Sequence, residues 1–256
     1  MEKFLTRDLR LLADGVEIAQ GGRMSLLSRS HLGLHPALRL LSIFQLSDAS
    51  VTLLSAAQHV EVYSGESLLS FGEVIDVYTR TLSGQRITSL TFSPGFSLWQ
   101  ASVSLSLRAG MKASDTFRAL LAASGASVSL VSFGAEDVVF SRPQAFFGRA
   151  FQSLDGLAEA CGGDAFLSSA GVCVVSRVPA AANAWEVIPP QDLLAPPQPA
   201  GDRLILTLPL RDWFPGSLLQ VSFQGQTWSG RVQSSLLQAD NASGPWKAEV
   251  ELSLIH

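Results

Sequence analysis

LPLRDWFPGSLLQVSFQGQTWSGRVQSSLLQADNASGPWKAEVELSLI, residues 208 to 255, is the stretch whose reading decides the fold. Leu218-Leu219-Gln220-Val221-Ser222-Phe223 places Leu219, Val221 and Phe223 on one face and Gln220, Ser222 and Gln224 on the other, the period of two that marks a half-buried strand. Upstream, Leu204, Leu206, Leu208 and Leu210 share a face in the same way, and Pro215-Gly216 breaks the chain between the two strands. Gly225-Gln226 turns into a third strand through Trp228-Ser229-Gly230-Arg231-Val232. The polar run from Gln238 to Pro245 then turns into a fourth, with Ala248, Val250, Leu252 and Leu254 inward. Residues 201–256 therefore read as a small antiparallel β-barrel of four strands. A sheet this short has little core for its surface and exposes unpaired backbone groups at its edges, so it needs closure or a neighbour.

The composition points the same way. Of 256 residues, 47% are hydrophobic and only 16% charged, against about 25% charged in ordinary soluble proteins, and the mean hydropathy is +0.27. Such a chain is either embedded in a membrane or covered by other protein. No apolar run approaches the ~20 residues of a spanning helix; Leu32 to Leu46 is interrupted by His35-Pro36, Arg39 and Gln45. A subunit of an assembly, without membrane insertion, is the reading that remains. The net charge of −4 and the pI near 5.5 exclude a protein that grips nucleic acid through its phosphates. Met1-Glu2-Lys3-Phe4-Leu5-Thr6-Arg7-Asp8 lacks the apolar core of a signal peptide, so a product made in the cytoplasm is expected. Cys161 and Cys173 are too few for a disulfide scaffold and sit among apolar neighbours, as buried thiols do.

Ahead of the C-terminal barrel, residues 1–108 read as strand after strand. Asp14-Gly15 and Gly21-Gly22 punctuate the first segments, and Ala37 to Leu46 has the mixed alternation of a strand buried on both faces. Val60 to Tyr63 and Phe71 to Tyr78 form a hairpin about Ser64 to Ser67, and Ile87 to Phe92 and Trp99 to Leu107 follow as strands. The pattern changes over residues 109–180. Ser114 is expected to cap a helix carrying Phe117, Leu120 and Leu121 on one face and stopped by Gly125. A β segment from Val128 to Phe140 and a helix from about Ser153 to Cys161 follow, then a hairpin around Ser169-Ala170, which together make an α+β module. Residues 181–200, with Pro189-Pro190, Pro196-Pro197 and Pro199, read as an extended, semi-rigid linker. The fold class expected is mainly β with an α+β insertion: two small antiparallel barrels plus a helix-sheet module.

The order of Pro215-Gly216, Gly230-Arg231-Val232, Asp240-Asn241 and Gly244-Pro245-Trp246 resembles the C-terminal barrel of bacteriophage tail hub, or baseplate hub, proteins. The helix beginning Lys112-Ala113-Ser114-Asp115-Thr116-Phe117 and the hairpin opened by Gly163-Asp164-Ala165-Phe166 extend the resemblance over most of the chain, although members of the family are usually longer. The resemblance implies two related barrels that build a ring, with an α+β module alongside. It implies a structural subunit of the virion tail that joins the tail tube to the tip or spike and surrounds a channel for DNA or tape-measure protein. Three chains of two barrels each would make a six-part ring, so a homotrimer is expected. An acidic balance suits such a channel, because a negative wall repels phosphate and DNA passes without specific binding. A tail-borne carbohydrate-binding or adhesion module is the alternative, and a tail-associated cell-wall hydrolase the next.

Candidate chemistry is sparse. Neither a dinucleotide or phosphate-binding glycine loop nor a Gly-x-Ser-x-Gly elbow is present. His31 and His35 have the spacing of helical metal ligands, yet Gly33 and Pro36 argue against a helix there; His59 precedes a strand and His256 ends the chain. Glu136, Asp137, Asp155, Glu159 and Asp164 read as solvated helix and turn acids, with no two carboxylates set across a cleft. Asn241-Ala242-Ser243 is a turn rather than a glycosylation site. Trp99, Trp213, Trp228 and Trp246 could stack on sugars, but positions inside strands favour packing. No catalytic, cofactor or metal residue is assigned, and the protein is expected not to be an enzyme.

Overall fold

The computed structural model describes residues 7–178 and 185–255. The opening residues 1–6, the start of the expected linker at 181–184, and His256 lie outside the described residues. The chain divides into two compact units: Met1–Ser30, Ala37–Ser93 and Trp185–His256 form the first, and His31–Pro36 with Pro94–Ala184 the second.

The first unit begins with β1 (Arg10–Ala13), β2 (Val16–Gln20), β3 (Met24–His31) and β4 (Arg39–Phe44). Asp14 and Gly15 both adopt positive φ, 47° and 78°, the geometry of a two-residue hairpin turn. β4 is not buried on both faces as expected. Arg39, Leu41 and Ile43 are buried while Leu40 is 46% exposed beside its cross-strand partner Leu27, so the mixed alternation comes from apolar residues on the outer face. Next comes α1 (Asp48–Ala56), an unexpected helix, capped by the Ser47 hydroxyl accepting from Ser50 N–H. β5 (His59–Ser64) and β6 (Ser67–Leu82) form the expected hairpin, and β7 (Gln85–Ser93) returns after a turn at Ser83-Gly84.

In the second unit, α2 (Phe96–Gln100) precedes β8 (Ser102–Leu107), so Trp99 lies on a helix and not in the strand expected. α3 (Ala113–Ser124) starts after Lys112, and Gly125 ends it in the left-handed conformation at φ 67°. Ser114 is not its N-cap: its N–H and hydroxyl both donate to Asp137, whose carboxylate arrives from a later loop and satisfies the first turn instead. β9 (Leu130–Phe133) and β10 (Gln144–Arg149) follow, and β10 pairs with β8. α4 (Ala150–Ala160) starts three residues earlier than expected, and β11 (Gly163–Ser168) and β12 (Gly171–Ser176) form the predicted hairpin about Ser169-Ala170. Phe117, Leu120, Phe151, Leu154, Leu157 and Val172 are among the residues that fill one core between these elements.

The remaining strands return to the first unit. The proline-rich segment contributes two three-residue strands, β13 (Glu186–Ile188) and β14 (Gln198–Ala200), and is followed by β15 (Arg203–Leu208), β16 (Leu218–Phe223), β17 (Gln226–Asp240) and β18 (Trp246–Leu254). Leu204, Leu206 and Leu208 are buried as the alternation requires, as are Leu219, Val221, Ala248, Val250 and Leu252. Among the described residues thirteen strands of this unit join one sheet, in the order β14-β15-β18-β17-β3-β4-β7-β6-β5-β1-β2, with β16 attached to β17 and β13 to β16. The protein is mainly β with a few helices, and among the described residues the sheet is open rather than a closed barrel.

This sheet repeats itself. β3-β4-β7-β6-β5-β1 is one series, and β14-β15-β18-β17-β16-β13 is a second in the same order. The correspondence extends to register. Val74 opposes Phe92 just before a bulge in β6, and Val232 opposes Leu252 just before a bulge in β17. Gly72 and Gly230 stand two residues ahead of those bulge-flanking valines, in Phe71-Gly72-Glu73-Val74 and Ser229-Gly230-Arg231-Val232. Gly230 is required there, because a Cβ would come within 2.7 Å of the Ser253 carbonyl oxygen. The two series differ after β4 and β15, where one has α1 and the other the loop from 209 to 217, and at their last pair, which is antiparallel between β5 and β1 but parallel between β16 and β13.

Candidate functional site

Two buried polar clusters stand out among the described residues. The first cluster lies on α4. Asp155 is mostly buried, and both its carboxylate oxygens accept from the Leu34 N–H, at 3.1 and 3.2 Å. The Gly33 N–H donates to Ala165 O at 2.6 Å, and the His35 ring packs edge-on to Phe151 with centroids 4.8 Å apart. Residues 31–36 thus form a strap held on the second unit. His31 and His35 lie on this strap and not on a helix. Asp155 is not the solvated acid expected: burial pushes its carboxyl up to about 6, the Leu34 N–H and His35 oppose the rise, and Asp164 and Glu159 add to it. Glu159 and Asp164 share Arg177, at 3.2 and 2.9 Å. The sequence offered no sign of the Asp155 cluster, because its partner Leu34 is 121 residues away.

A testable pH dependence follows. The folded carboxyl of Asp155 binds its proton more tightly than the unfolded one, whose value is near 3.8. Its contribution to stability is therefore fully present below pH ~4 and is lost as pH rises through about 6. Asp155→Asn should flatten the fall in unfolding free energy between those limits, as measured by urea melts at a series of pH values. An unchanged slope would remove this assignment.

The second cluster is in the large sheet. Arg39 is 2% exposed, donates to Ser70 Oγ, Phe71 O and Ser30 Oγ at 3.1, 2.8 and 3.0 Å, and stacks over the Phe71 ring. Burial lowers its pKa to about 10, opposed by the Asp212 carboxylate, which burial itself raises to about 6. At the matching position of the second series stands Leu204: Arg39 opposes Phe92 and Leu204 opposes Leu252.

The other candidates serve the fold. Asn241 accepts from Met24 N–H and donates to Gly22 O. Trp213 is 5% exposed and donates to Pro209 O, Trp228 and Trp246 pack partly buried against the same core, and Trp99 stacks on Phe96. Cys161 is a buried free thiol whose pKa burial raises, and Cys173 is a half-buried one. Among the described residues no three His, Cys, Asp or Glu side chains converge as metal ligands do, and no helix is long and apolar enough to cross a membrane.

No protein-family profile and no curated relative matches the sequence. Solved structures do. A tail protein from Neisseria meningitidis MC58 superposes with a TM-score of 0.71 at 14% identity, over 96% of this chain and 95% of its own. The fold is that of phage tail proteins. The 43 kDa tail protein of prophage MuSo2 from Shewanella oneidensis matches at TM-score 0.73 and 10% identity, over 96% of both chains. A component of the E. coli type VI secretion system, described as structurally similar to the T4 tail proteins gp27 and gp5, matches at TM-score 0.69 and 9% identity, over 96% of this chain and 77% of its own. Two of these neighbours are named as tail proteins, and the third as a secretion-system component similar to tail proteins.

Proposed function

We propose that the protein is a structural subunit of a phage tail hub or baseplate, which forms a ring between the tail tube and the tip or spike and surrounds a channel for DNA or tape-measure protein. The observation that carries this reading is the repeated strand order within a tail-protein fold matched over nearly the whole chain. A chain holding two copies of one sheet motif supplies two ring positions, so three chains supply six, and a homotrimer docks on a sixfold tube. In this reading the barrels expected at residues 1–108 and 201–256 correspond to the two half-sheets as they close in the ring, the second of which also takes in β13 and β14 from the proline-rich segment. The face of the sheet turned from the core carries Ser25, Ser42 and Ser89 in register across three strands, and its carboxylates Glu249 and Glu251 are paired with Lys247 and Arg203. We assign that face to the channel, where hydroxyls and neutralised acids hold passing DNA or protein weakly. The site of action is the virion tail, without catalysis or cofactor.

Light scattering on the purified protein, alone and with its tube and spike partners, tests the ring. A mass of three chains is expected, with contacts on the order of 2,000 Å². A monomer that persists with both partners present would sink the proposal.

A further inference from the structure

The strand order repeats, but its junction is made only once within the chain. β3 borders β17, and their ends are tied by Asn241, whose N–H donates to Met24 O at 3.1 Å and whose Oδ1 accepts from Met24 N–H at 2.8 Å. The first residue of β3 thus lies beside the residue that follows β17, and two strands meeting start to finish run antiparallel. Under the repeat, the counterparts of β3 and β17 are β14 and β6. These two stand at opposite ends of an eight-strand run, β14-β15-β18-β17-β3-β4-β7-β6, and do not pair. β5 covers β6 only as far as Glu73; from Asp76 to Leu82 the strand pairs with β7 alone among the described residues.

We infer that these two edges pair between copies of this chain: β14 of one protomer lies antiparallel to residues 76–82 of β6 in the next, in the register of the internal junction. The inference rests on the ring reading above and adds to it the surfaces that meet. Backbone chemistry makes the pairing directional. Pro196, Pro197 and Pro199 have no N–H, so the β14 edge offers mainly carbonyls, whereas β6 has no proline and keeps its donors. Two β14 edges would face acceptor to acceptor. A β14 edge against β6 matches acceptors with donors, which gives a head-to-tail contact that closes into a ring rather than a twofold dimer.

A second part of the junction repeats as well. The loop after β15 brings Asp212 into the field of Arg39 on β4. Its counterpart after β4 is α1, whose Leu53 is 55% exposed, and α1 is therefore placed to cover the start of β15 in the neighbouring protomer. Tyr78, 58% exposed, and Leu82 flank the same edge. An apolar rim of this kind is what an interface between copies needs.

The register fixes the test. Arg39 corresponds to Leu204, which opposes Pro199, so Ser28 corresponds to Pro199 and Met24 to Ala195. Leu237 corresponds to Thr79, so Asn241 corresponds to Ser83. Counting back antiparallel from Ala195 opposite Ser83, Ala200 falls opposite Tyr78. Both side chains are exposed, and within one chain six strands separate β14 from β6, so a bridge between these positions links different protomers. The double variant Tyr78→Cys/Ala200→Cys is oxidised mildly under conditions where light scattering shows the oligomer. A covalent ladder from the double variant, dimers only from a mixture of the two single variants, and no bridge from Val16→Cys/Ala200→Cys at the β2 end are expected. An oligomer of the expected mass without the Tyr78–Ala200 bridge overturns the seam and leaves the ring standing. A monomer under every condition, with tube and spike present, removes both.

Discussion

Arg39→Ala is expected to lower the stability of the large sheet by about 3 to 5 kcal/mol, because it strands a buried partner. The guanidinium fills three donor contacts at the middle of the sheet and is the one charge that opposes the desolvation of Asp212. Truncation removes the Arg39 donors from Phe71 O and Ser30 Oγ, leaves Ser70 Oγ with Ser28 alone, and deprives Asp212 of its counter-charge. The melting temperature should fall on the order of 10 °C. Arg39→Leu combined with Asp212→Asn should recover most of this loss, since the matching position of the second series holds Leu204 in the same core without a charge. A double variant as unstable as Arg39→Ala would show that the cluster is held by something other than this pair.

Trp213→Ala is expected to cost a similar 3 to 5 kcal/mol through the cavity it leaves. Its ring is 5% exposed, sits under the Arg211 guanidinium, and donates to Pro209 O. Trp228→Ala and Trp246→Ala should cost less, because each side chain is only partly buried against the same core. Thermal melts of the three variants side by side check the order. Equal losses, or a loss of sugar binding without a loss of stability, would return the tryptophans to a ligand role.

What could be read from the sequence was local. Leu204, Leu206 and Leu208 announced β15 because a two-residue period and one buried face leave no other arrangement. Asp14-Gly15 marked its hairpin for a steric reason that acts within four residues. α1 escaped because only Leu54 is buried along it, so its apolar spacing carries almost no helical period. Trp99 was misplaced because Phe96–Gln100 is a single turn too short for periodicity to show. The pairing of β3 with β17 and the bond from Leu34 to Asp155 join residues more than 100 positions apart. No local pattern encodes such contacts. They arise when elements that each need a covered edge or a buried face find one another, which is why both polar clusters and the single shared sheet came only from the structure.

The strap at residues 31–36 makes the α+β unit hard to move between proteins. Leu34 is wholly buried in the core of that unit and Gly33 is bonded to β11, yet both come from a segment more than fifty residues upstream of the insertion that supplies the rest. A fragment cut at Pro94 and Ala184 would carry an empty leucine socket and a buried carboxylate with no amide to bind. Recombination that exchanged the insertion alone would leave the same vacancy, so a successful graft must bring its own strap, and the two pieces are bound to evolve as one.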